Sequence, residues 1–202
     1  ISDKDQSQFK ENLKTIDNQI KIIENLVNEF SDFARMPKPI LKDNNIVTML
    51  KENIKLLSEV DKAVKINLIN NKEKILFNCD KEQMGRVFFN IIKNSIESIQ
   101  QKSEKNNDFE KKISIEILDN NDHISIIVID NGIGFHSEKN DVKKILNPYY
   151  TTKKNGTGLG LSIVNKIIND HNGELLFHSI PNGAKIEIYL KIDGNRNINS
   201  RR

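Results

Sequence analysis

The sequence has few cysteines, no long apolar run and no concentrated charge, which argues against a disulfide-bonded, a membrane-spanning or a nucleic-acid-binding protein. It has one cysteine, Cys79, which excludes an internal disulfide and favours a reducing compartment, and the apolar neighbours of Cys79 predict a buried, inert thiol. No run approaches the ~18 consecutive apolar residues of a membrane-spanning helix, so no membrane contact is expected. The net charge of +3 is spread along the 202 residues, so nucleic acid is not expected as a partner.

Residues 1–36 predict one long helix with a coiled-coil seam. The chain lacks an initiating methionine and a signal peptide and opens inside this pattern, so we expect a piece of a longer protein. Apolar residues recur at alternating steps of four and three: Phe9, Leu13, Ile16, Ile20, Ile23, Val27, Phe30 and Ala34. Such a helix is marginal alone in water and must pack against another helix, of this chain or of a second copy. Ile22, Leu26 and Phe33 widen the apolar surface, which favours a bundle.

Pro37 and Pro39 end this helix and mark residues 37–42 as a linker to a domain at 43–193. In that domain, helices are predicted at Asp43–Glu59 (with an Asp or Asn cap), from Asp80 to about Gln101, and from Leu159 to Asp170. Strand pairs are predicted for "AVKINLIN" with "KILFNC", "KISIEIL" with "HISIIVID", and "GELLFHSI" with "GAKIEIYLKI". The pattern predicts an α/β fold, a two-layer sandwich of a mixed sheet with helices on one face. A disordered tail is expected at 194–202.

Five of the nine glycines fall in two short stretches, "DNGIG" after a strand pattern and "GTGLG" before a helix pattern. Glycine costs backbone entropy unless a turn needs positive φ or close approach. Since a helix N-terminus favours phosphate, the second stretch is a candidate anion site, although two ordinary turns also explain the glycines. The P-loop string is absent, and the dinucleotide fingerprint needs a glycine where Leu161 stands.

Three polar side chains stand out on otherwise apolar elements. Asn90 and Asn94 are four residues apart in "NIIKNSIES", so they share one helix face. Their amide oxygens suit Mg²⁺, but partly exposed amides bonded to water are an open alternative. Asp130 ends the pattern "HISIIVID", and a carboxylate there either caps the turn or binds a ligand. As a ligand group it favours an exocyclic amine, which adenine offers where guanine has a carbonyl.

The order of five stretches resembles the catalytic and ATP-binding domain of sensor histidine kinases. The stretches "NIIKNSIES", "VIDNGIG", "NPYYTTK", "GTGLGLSIV" and "NGAKIEI" are similar to the N, G1, F, G2 and G3 boxes of that family. The resemblance covers about Asp43 to Ile192 and implies the Bergerat or GHKL-type ATP-binding fold, which gyrase and MutL share. The preceding helix resembles the second helix of a dimerisation and phosphoacceptor hairpin. "FARMPKP" resembles the NtrY type of nitrogen-regulation sensor kinase.

The resemblance implies ATP and Mg²⁺ as cofactors. Asn94 and Asn90 would hold the metal, and Asn90 and Lys153 would serve in catalysis. Nucleotide contacts are implied for a larger set: Asn90, Lys93, Asn94, Asp130, Gly132, Ile133, Gly134, Tyr149, Thr152, Lys153, Gly156, Thr157, Gly158, Leu159, Gly160 and Leu161. Lys154 is a further candidate for a phosphate contact.

Within that set the implied roles differ. Asp130 would bind the adenine amine, while Gly132 and Gly134 would let the base approach the backbone. Lys93 would either reach a phosphate or point into solvent. Residues 131–157, here called the lid, would be mobile, with Tyr149 and Tyr150 anchoring them to apolar surface.

The sequence also departs from the family pattern. Ala184 stands where threonine is common and Ile186 where phenylalanine is common, and neither change should abolish binding. None of the four histidines has the context of the family's phosphoacceptor: His123, His136, His171 and His178. The resemblance therefore implies half a kinase, which binds Mg-ATP and does not autophosphorylate alone.

The intact protein would pass the γ-phosphoryl of ATP to a histidine preceding Ile1 and then to an aspartate of an NtrX-like response regulator. The hairpin would join a second kinase protomer, and absent segments would anchor this cytoplasmic portion in the inner membrane. Two alternatives stay open. One is another member of the superfamily, such as a MutL-like ATPase or a protein-serine kinase of the anti-sigma type. The other is a dimerisation and docking module that does not use nucleotide.

Overall fold

The computed structural model describes residues 3–104, 108–135, 144–153 and 156–192. The described helices are α1 (Asp3–Ala34), α2 (Ile46–Ser58), α3 (Lys81–Ser103) and α4 (Gly160–Asp170). The strands are β1 (Lys42–Asn45), β2 (Lys65–Ile69), β3 (Leu76–Cys79), β4 (Lys112–Asp119), β5 (His123–Asp130), β6 (Gly173–Ile180) and β7 (Gly183–Lys191). The predicted tail, His136, Lys154 and part of the lid lie outside the described residues.

Five strands form a mixed sheet in the order β2-β4-β5-β7-β6. β2 runs parallel to β4, and the other neighbours are antiparallel. Buried residues alternate along β4 at Ile113, Ile115 and Ile117, so one face of the sheet carries the core. On that face α3 packs against β4 and β5, α4 against β6, and α2 against β2. The predicted two-layer α/β sandwich is confirmed, as are the β4–β5 and β6–β7 hairpins.

The predicted pairing of β2 with β3 is wrong. β2 joins the main sheet beside β4, with Ile66 opposite Ile113. β3 instead pairs antiparallel with β1 in a separate two-stranded sheet. Cys79 ends β3 fully buried, as predicted, and burial raises the pKa of its thiol to about 12.

α2 begins at Ile46, later than the predicted start at Asp43, because the preceding residues form β1. The helix cap is Asn45, whose Oδ1 accepts the Val47 N–H at 3.2 Å. The same oxygen accepts the Ile75 N–H at 3.1 Å, so the cap also fixes the chain entering β3. The sequence of β1, "KDNN", has no apolar alternation that could reveal a strand.

Asp80 begins α3 as predicted and joins three parts of the chain. Its Oδ1 accepts the N–H groups of Glu82 and Gln83, each at 3.0 Å, which is an N-cap. Its Oδ2 accepts the N–H of Ile40 in the linker at 2.9 Å, and its own N–H donates to His171 Nε2 at 3.0 Å. Burial acts to raise the pKa of Asp80, but the backbone N–H donors outweigh it, so its pKa is lowered. The linker, the start of α3 and the end of α4 therefore meet at one residue.

α1 exposes the seam and turns another face to the domain. Seam side chains are 48% to 64% exposed: Phe9, Leu13, Ile16, Ile20, Ile23, Val27 and Phe30. Leu26 and Phe33 pack against the domain core, and Ile22 lines a cavity beside it. The chain's own domain therefore covers part of the face predicted to widen a bundle surface, at Leu26 and Phe33, and the bundle itself stays a prediction. None of the described helices is both long and apolar enough to cross a membrane.

Candidate functional site

A cavity of about 320 Å³ opens where α3, the end of β5 and the start of α4 converge. A cavity of this size suits a small ligand. Most of the predicted site residues line it: Asn90, Lys93, Asn94, Asp130, Ile133, Gly134, Thr152, Lys153, Gly156, Thr157, Gly158, Gly160 and Leu161. Gly132, Tyr149 and Leu159 do not line it, and Leu159 is fully buried in the core.

Asp130 forms the buried end of the cavity. It is the last residue of β5 and is 4% exposed. Its Oδ1 accepts the Gly132 N–H at 2.9 Å, and the Ser95 hydroxyl gives a further hydrogen bond. Burial raises the pKa of Asp130 above its ordinary value, and these hydrogen bonds oppose the shift only in part. A carboxylate that lines a cavity in this setting is able to accept a hydrogen bond from a ligand N–H group.

Apolar side chains form walls near Asp130. Ile133 and Ile186 line the cavity, together with Phe135 from the lid. The Phe135 ring stands edge-on to Phe177, with 5.4 Å between the ring centroids. The sequence patterns do not single out Phe135, because it follows a glycine turn and belongs to no periodic segment. The walls give the buried end of the cavity an apolar surface suited to a flat ring.

Gly132 and Gly134 lie in a turn that packs closely against its own chain. A Cβ at Gly132 would lie 2.2 Å from Ser98 Oγ, and a Cβ at Gly134 would lie 2.5 Å from the Gly183 carbonyl oxygen. Gly134 also has a φ of 74°, in the left-handed region that favours glycine. Ser98 holds the turn by accepting the Ile133 N–H at 3.1 Å. Packing within the chain thus accounts for both glycines, and their role toward a base stays a prediction.

Asn90 and Asn94 lie one turn apart on α3 and face the start of α4. An ideal Cβ on Gly160 would stand 3.7 Å from Asn90 Oδ1 and 4.0 Å from Asn94 Nδ2. The first N–H groups of a helix have no partner within the helix and carry partial positive charge. Within the described ranges, no group of three or more His, Cys, Asp or Glu side chains could hold a metal ion. The amide oxygens of Asn90 and Asn94 are of the kind that suits Mg²⁺.

Lys153 reaches from the lid to α3. Its Nζ donates to Asn94 Oδ1 at 3.0 Å and to the Glu97 carboxylate. Lys93 Nζ lies 3.8 Å from the other Glu97 oxygen. Two cations and one anion thus form a network at the amide end of the cavity. The sequence patterns do not single out Glu97, although its place three residues after Asn94 puts it on the same helix face.

Tyr149 and Gly158 close the base of the lid. The Tyr149 N–H donates to the Gly158 carbonyl oxygen at 3.1 Å. Gly158 has a φ of 71°, and a Cβ there would lie 2.5 Å from the Tyr149 carbonyl carbon. The Tyr149 ring is 53% exposed and stacks on Phe30 of α1, with 6.3 Å between centroids. Tyr150 lines the cavity instead, so the two tyrosines have different surroundings.

α1 adds two residues to the cavity that no sequence pattern indicates, Ile22 and Glu29. Thr157, in the stretch "GTGLG", donates its hydroxyl hydrogen to the Glu29 carboxylate. Because these residues are 128 positions apart, a local pattern cannot reveal the contact. The long helix is therefore part of the wall around the cavity.

The three described histidines each have a partner away from the cavity. His171 is buried at the end of α4, where its Nδ1 bonds to a backbone carbonyl oxygen at 2.7 Å. The His123 ring stacks on Tyr189, with 4.5 Å between centroids. His178 Nε2 lies 3.2 Å from a Glu187 oxygen. These contacts give all three side chains a structural role.

Known proteins have sequences and folds similar to those of this chain. A family profile described as "Histidine kinase-, DNA gyrase B-, and HSP90-like ATPase" matches residues 79–194. The chain is 33% identical over 186 residues to an NtrY-like sensor histidine kinase of Rickettsia felis, covering 92% of this chain and 30% of that protein. It is 31% identical over 204 residues to the nitrogen regulation protein NtrY of Azorhizobium caulinodans, covering 94% of this chain and 24% of that protein. The chain spans less than a third of the length of these relatives.

A solved structure of the histidine kinase ThkA in complex with the response regulator protein TrrA has a similar fold. The TM-score is 0.73 at 20% identity, over 93% of this chain and 52% of that chain. The resemblance to NtrY-type sensor histidine kinases and the predicted Bergerat-type fold are both confirmed. Since the family profile matches more than half of the chain, from the end of β3 through β7, the chain belongs to the histidine kinase-, DNA gyrase B- and HSP90-like ATPases.

Proposed function

We propose that this chain is the Mg-ATP-binding catalytic portion of a two-component sensor histidine kinase. The γ-phosphoryl of ATP goes to a histidine on a segment outside this sequence, and from there to an aspartate of a response regulator. One observation carries the proposal. A single cavity has a buried carboxylate, Asp130, at one end, and at the other end two amides, Asn90 and Asn94, beside a lysine and a helix N-terminus. The similarity to NtrY-type kinases gives the direction of transfer.

The adenine ring is expected at the Asp130 end. Asp130 accepts a hydrogen bond from the exocyclic amine, and Ile133, Phe135 and Ile186 provide apolar contact for the ring. A guanine ring would place a carbonyl oxygen against the carboxylate, leaving a buried acceptor facing another acceptor. Sites built to hydrogen-bond one group reject an analogue that lacks it by large factors, so ATP should be selected over GTP.

The triphosphate is expected at the start of α4. Its first N–H groups begin at Gly160, the last glycine of "GTGLG", and would face the anionic oxygens, while Lys153 and Lys93 supply positive charge nearby. Asn94 Oδ1 already accepts a hydrogen bond from a cationic group, the Lys153 ammonium, so this oxygen fits a metal ion as well. Asn94 and Asn90 would hold Mg²⁺, which neutralises charge on the β- and γ-phosphate oxygens when bound. The residues act by positioning and charge neutralisation, with no covalent step on the chain.

The exposed seam of α1 supports a role for residues 1–36 as the second helix of a dimerisation hairpin. Seven large apolar side chains along it are about half exposed or more, and of these Phe30 stacks on Tyr149. Residues 37–42 then form the linker, residues 43–193 the catalytic domain, and 194–202 a disordered tail. A second protomer would cover the seam, and an NtrX-like response regulator would receive the phosphoryl group. In the intact protein, this portion would lie in the cytoplasm. Segments outside this sequence would anchor the protein in the inner membrane.

The test is calorimetry of ATP and GTP binding, each with and without Mg²⁺, followed by incubation with labelled ATP. We expect ATP to bind in a Mg²⁺-dependent way and GTP to bind far more weakly. The chain alone should gain no phosphohistidine, and the label should appear on a histidine only when the complete hairpin is supplied. Absence of any nucleotide binding would indicate a docking module, and label on serine would indicate a protein-serine kinase. ATP hydrolysis without phosphohistidine, even with the hairpin, would indicate an ATPase.

A further inference from the structure

Glu97 is the one carboxylate that α3 contributes to the described part of the cavity, and it lies among groups expected to bind phosphate and metal. It follows Asn90 by seven residues and Asn94 by three, so all three side chains lie on one face of the helix. A carboxylate beside a phosphate site is unfavourable for an anion. A carboxylate at this position needs a cation to offset its charge, and two lysines, Lys153 and Lys93, lie beside it.

The contacts of Glu97 divide between these lysines unequally. One oxygen accepts a hydrogen bond from Lys153, and the other lies 3.8 Å from Lys93 Nζ. Lys153 is the closer partner and also donates to Asn94 Oδ1 at 3.0 Å. The side chains of Lys153 and Glu97 are 32% and 34% exposed, so water screens this pair less than an ordinary surface pair. Glu97 thus holds the lysine ammonium at the amide oxygen proposed for the metal.

We propose that Glu97 is a positioning residue that makes the site select metal-bound nucleotide over free nucleotide. The inference rests on the proposed function. Without a metal ion, the Lys153 ammonium stands at Asn94 Oδ1 and is neutralised by Glu97, so it is unavailable to phosphate. With a divalent cation bound beside the nucleotide, Asn94 Oδ1 and the Glu97 carboxylate would face that cation in place of the Lys153 ammonium. Lys153 is then released to the phosphates, and Glu97 remains opposite a positive charge.

Free nucleotide brings no cation that could replace Lys153 at Asn94 Oδ1 and Glu97. It meets a Lys153 ammonium that Glu97 already neutralises, so the unfavourable effect of this pairing falls on the metal-free form alone. The ratio of the two dissociation constants, metal-free over Mg²⁺-bound, is therefore the quantity that Glu97 controls. An ion pair that is about one third exposed and has a merely structural role would contribute little to stability and nothing to this ratio.

The experiment measures that ratio in five forms of the full chain, one of which is the wild type. The variants are Glu97→Gln, Lys153→Met and the double variant, and Glu82→Gln is the matched control. Glu82 lies on the same helix, is exposed, and does not line the cavity. ATP affinity is measured by calorimetry in Mg²⁺ and in chelator at equal ionic strength, and the melting temperature of each variant is recorded.

For Glu97→Gln we expect the ratio to fall about tenfold, mainly through tighter binding in chelator, since a charge-assisted hydrogen bond that withholds the lysine is lost. In the Lys153→Met background the same substitution should change the ratio by less than about twofold, because Glu97 acts through the lysine. Glu82→Gln should leave the ratio as in the wild type.

Two results would overturn the inference while leaving the proposed function intact. One is a wild-type ratio in Glu97→Gln, which would reduce Glu97 to a structural partner. The other is an undiminished effect of Glu97→Gln in the Lys153→Met background, which would mean direct repulsion of phosphate without any action through the lysine. If the wild-type chain binds no ATP in either condition, the proposed function fails first and the inference fails with it.

Discussion

The hydroxyl of Thr157 donates a hydrogen bond to the carboxylate of Glu29, which ties the glycine-rich stretch before α4 to the long helix α1. Both residues line the cavity, and Phe30, the neighbour of Glu29, stacks on Tyr149 at the base of the lid. α1 therefore contacts the lid at two places. The contact brings a negative charge to the region where the triphosphate is expected.

The first prediction concerns that charge. Glu29→Gln should strengthen ATP binding by roughly two- to fivefold, the range for a partly exposed charge, because the carboxylate repels phosphate and holds Thr157. Calorimetry of the two forms in Mg²⁺ checks this, with Glu24→Gln as the control. Glu24 is exposed on the same helix and does not line the cavity, so its substitution should change nothing. Weaker binding by Glu29→Gln would show that the contact supports the nucleotide-binding form.

The second prediction concerns the buried end of the cavity. Asp130→Asn should weaken ATP binding by ~1–3 kcal/mol, the cost of disturbing a buried polar contact. Calorimetry measures the loss, and Asp43→Asn on β1 is an exposed control. Unchanged affinity in Asp130→Asn would exclude the adenine contact.

The third prediction is the effect of the same substitution on stability. Burial raises the pKa of Asp130, so its contribution to stability is full only below the unfolded-state pKa and is lost as pH rises through the folded-state pKa. At neutral pH the nucleotide-free Asp130→Asn variant should therefore melt at a higher temperature than the wild type. The difference should shrink as the pH falls toward the ordinary range of a carboxyl group. Thermal melts across that pH range test the sign, and a variant less stable than the wild type at neutral pH would contradict it.

The fourth prediction tests the metal. Asn94→Ala should lower the Mg²⁺-dependent part of ATP affinity by about 10- to 100-fold, as losses of metal-site groups commonly do. Binding in chelator should change little, because it does not use the amide oxygen for a metal. Titrations in Mg²⁺ and in chelator separate the two, and Asn53→Ala on α2 is a control away from the cavity. Equal dependence on Mg²⁺ in Asn94→Ala and wild type would remove Asn94 from the metal site.

The fifth prediction compares two glycines of the stretch "GTGLG", Gly158 and Gly160. Gly158→Ala should cost more than about 1 kcal/mol of folding stability, because φ is positive and the Cβ would meet the Tyr149 backbone at 2.5 Å. Gly160→Ala should stay within about 0.5 kcal/mol, since no atom lies closer than 3.7 Å to its Cβ. It should nevertheless weaken ATP binding by about 1 kcal/mol, because the methyl group enters the cavity beside Asn90. Denaturant melts and calorimetry on both variants check the contrast.

Much of the site could be predicted from the sequence because its parts are local. Asn90 and Asn94 share a helix face by their spacing, and Asp130 ends a strand whose alternation is plain. Such features depend on residues within one element. The hairpins β4–β5 and β6–β7 were predictable for the same reason, since their partners are adjacent along the chain.

The errors come from contacts between distant segments. β2 finds its partner in β4, which lies beyond the whole of α3, so proximity along the chain suggested β3 instead. Glu97 lies on a predicted helix face, but its importance depends on Lys153, which reaches it from the lid. The partial cover that the domain gives to Leu26 and Phe33 likewise depends on how α1 meets the domain.

The junction at Asp80 gives α1 a second connection to the cavity, besides the direct contacts of Glu29 with Thr157 and of Phe30 with Tyr149. On α3, roughly ten residues, or about 15 Å of helix, separate Asp80 from Asn90, and a similar length of α4 separates His171 from Gly160. The N–H of Ile40, in the linker from α1, is bonded to that same Asp80. α3 and α4 therefore run from the Asp80–His171 contact to the cavity over nearly equal lengths, and the linker is bonded at the same contact. A displacement of the linker would therefore act on α3 and α4 at the same point.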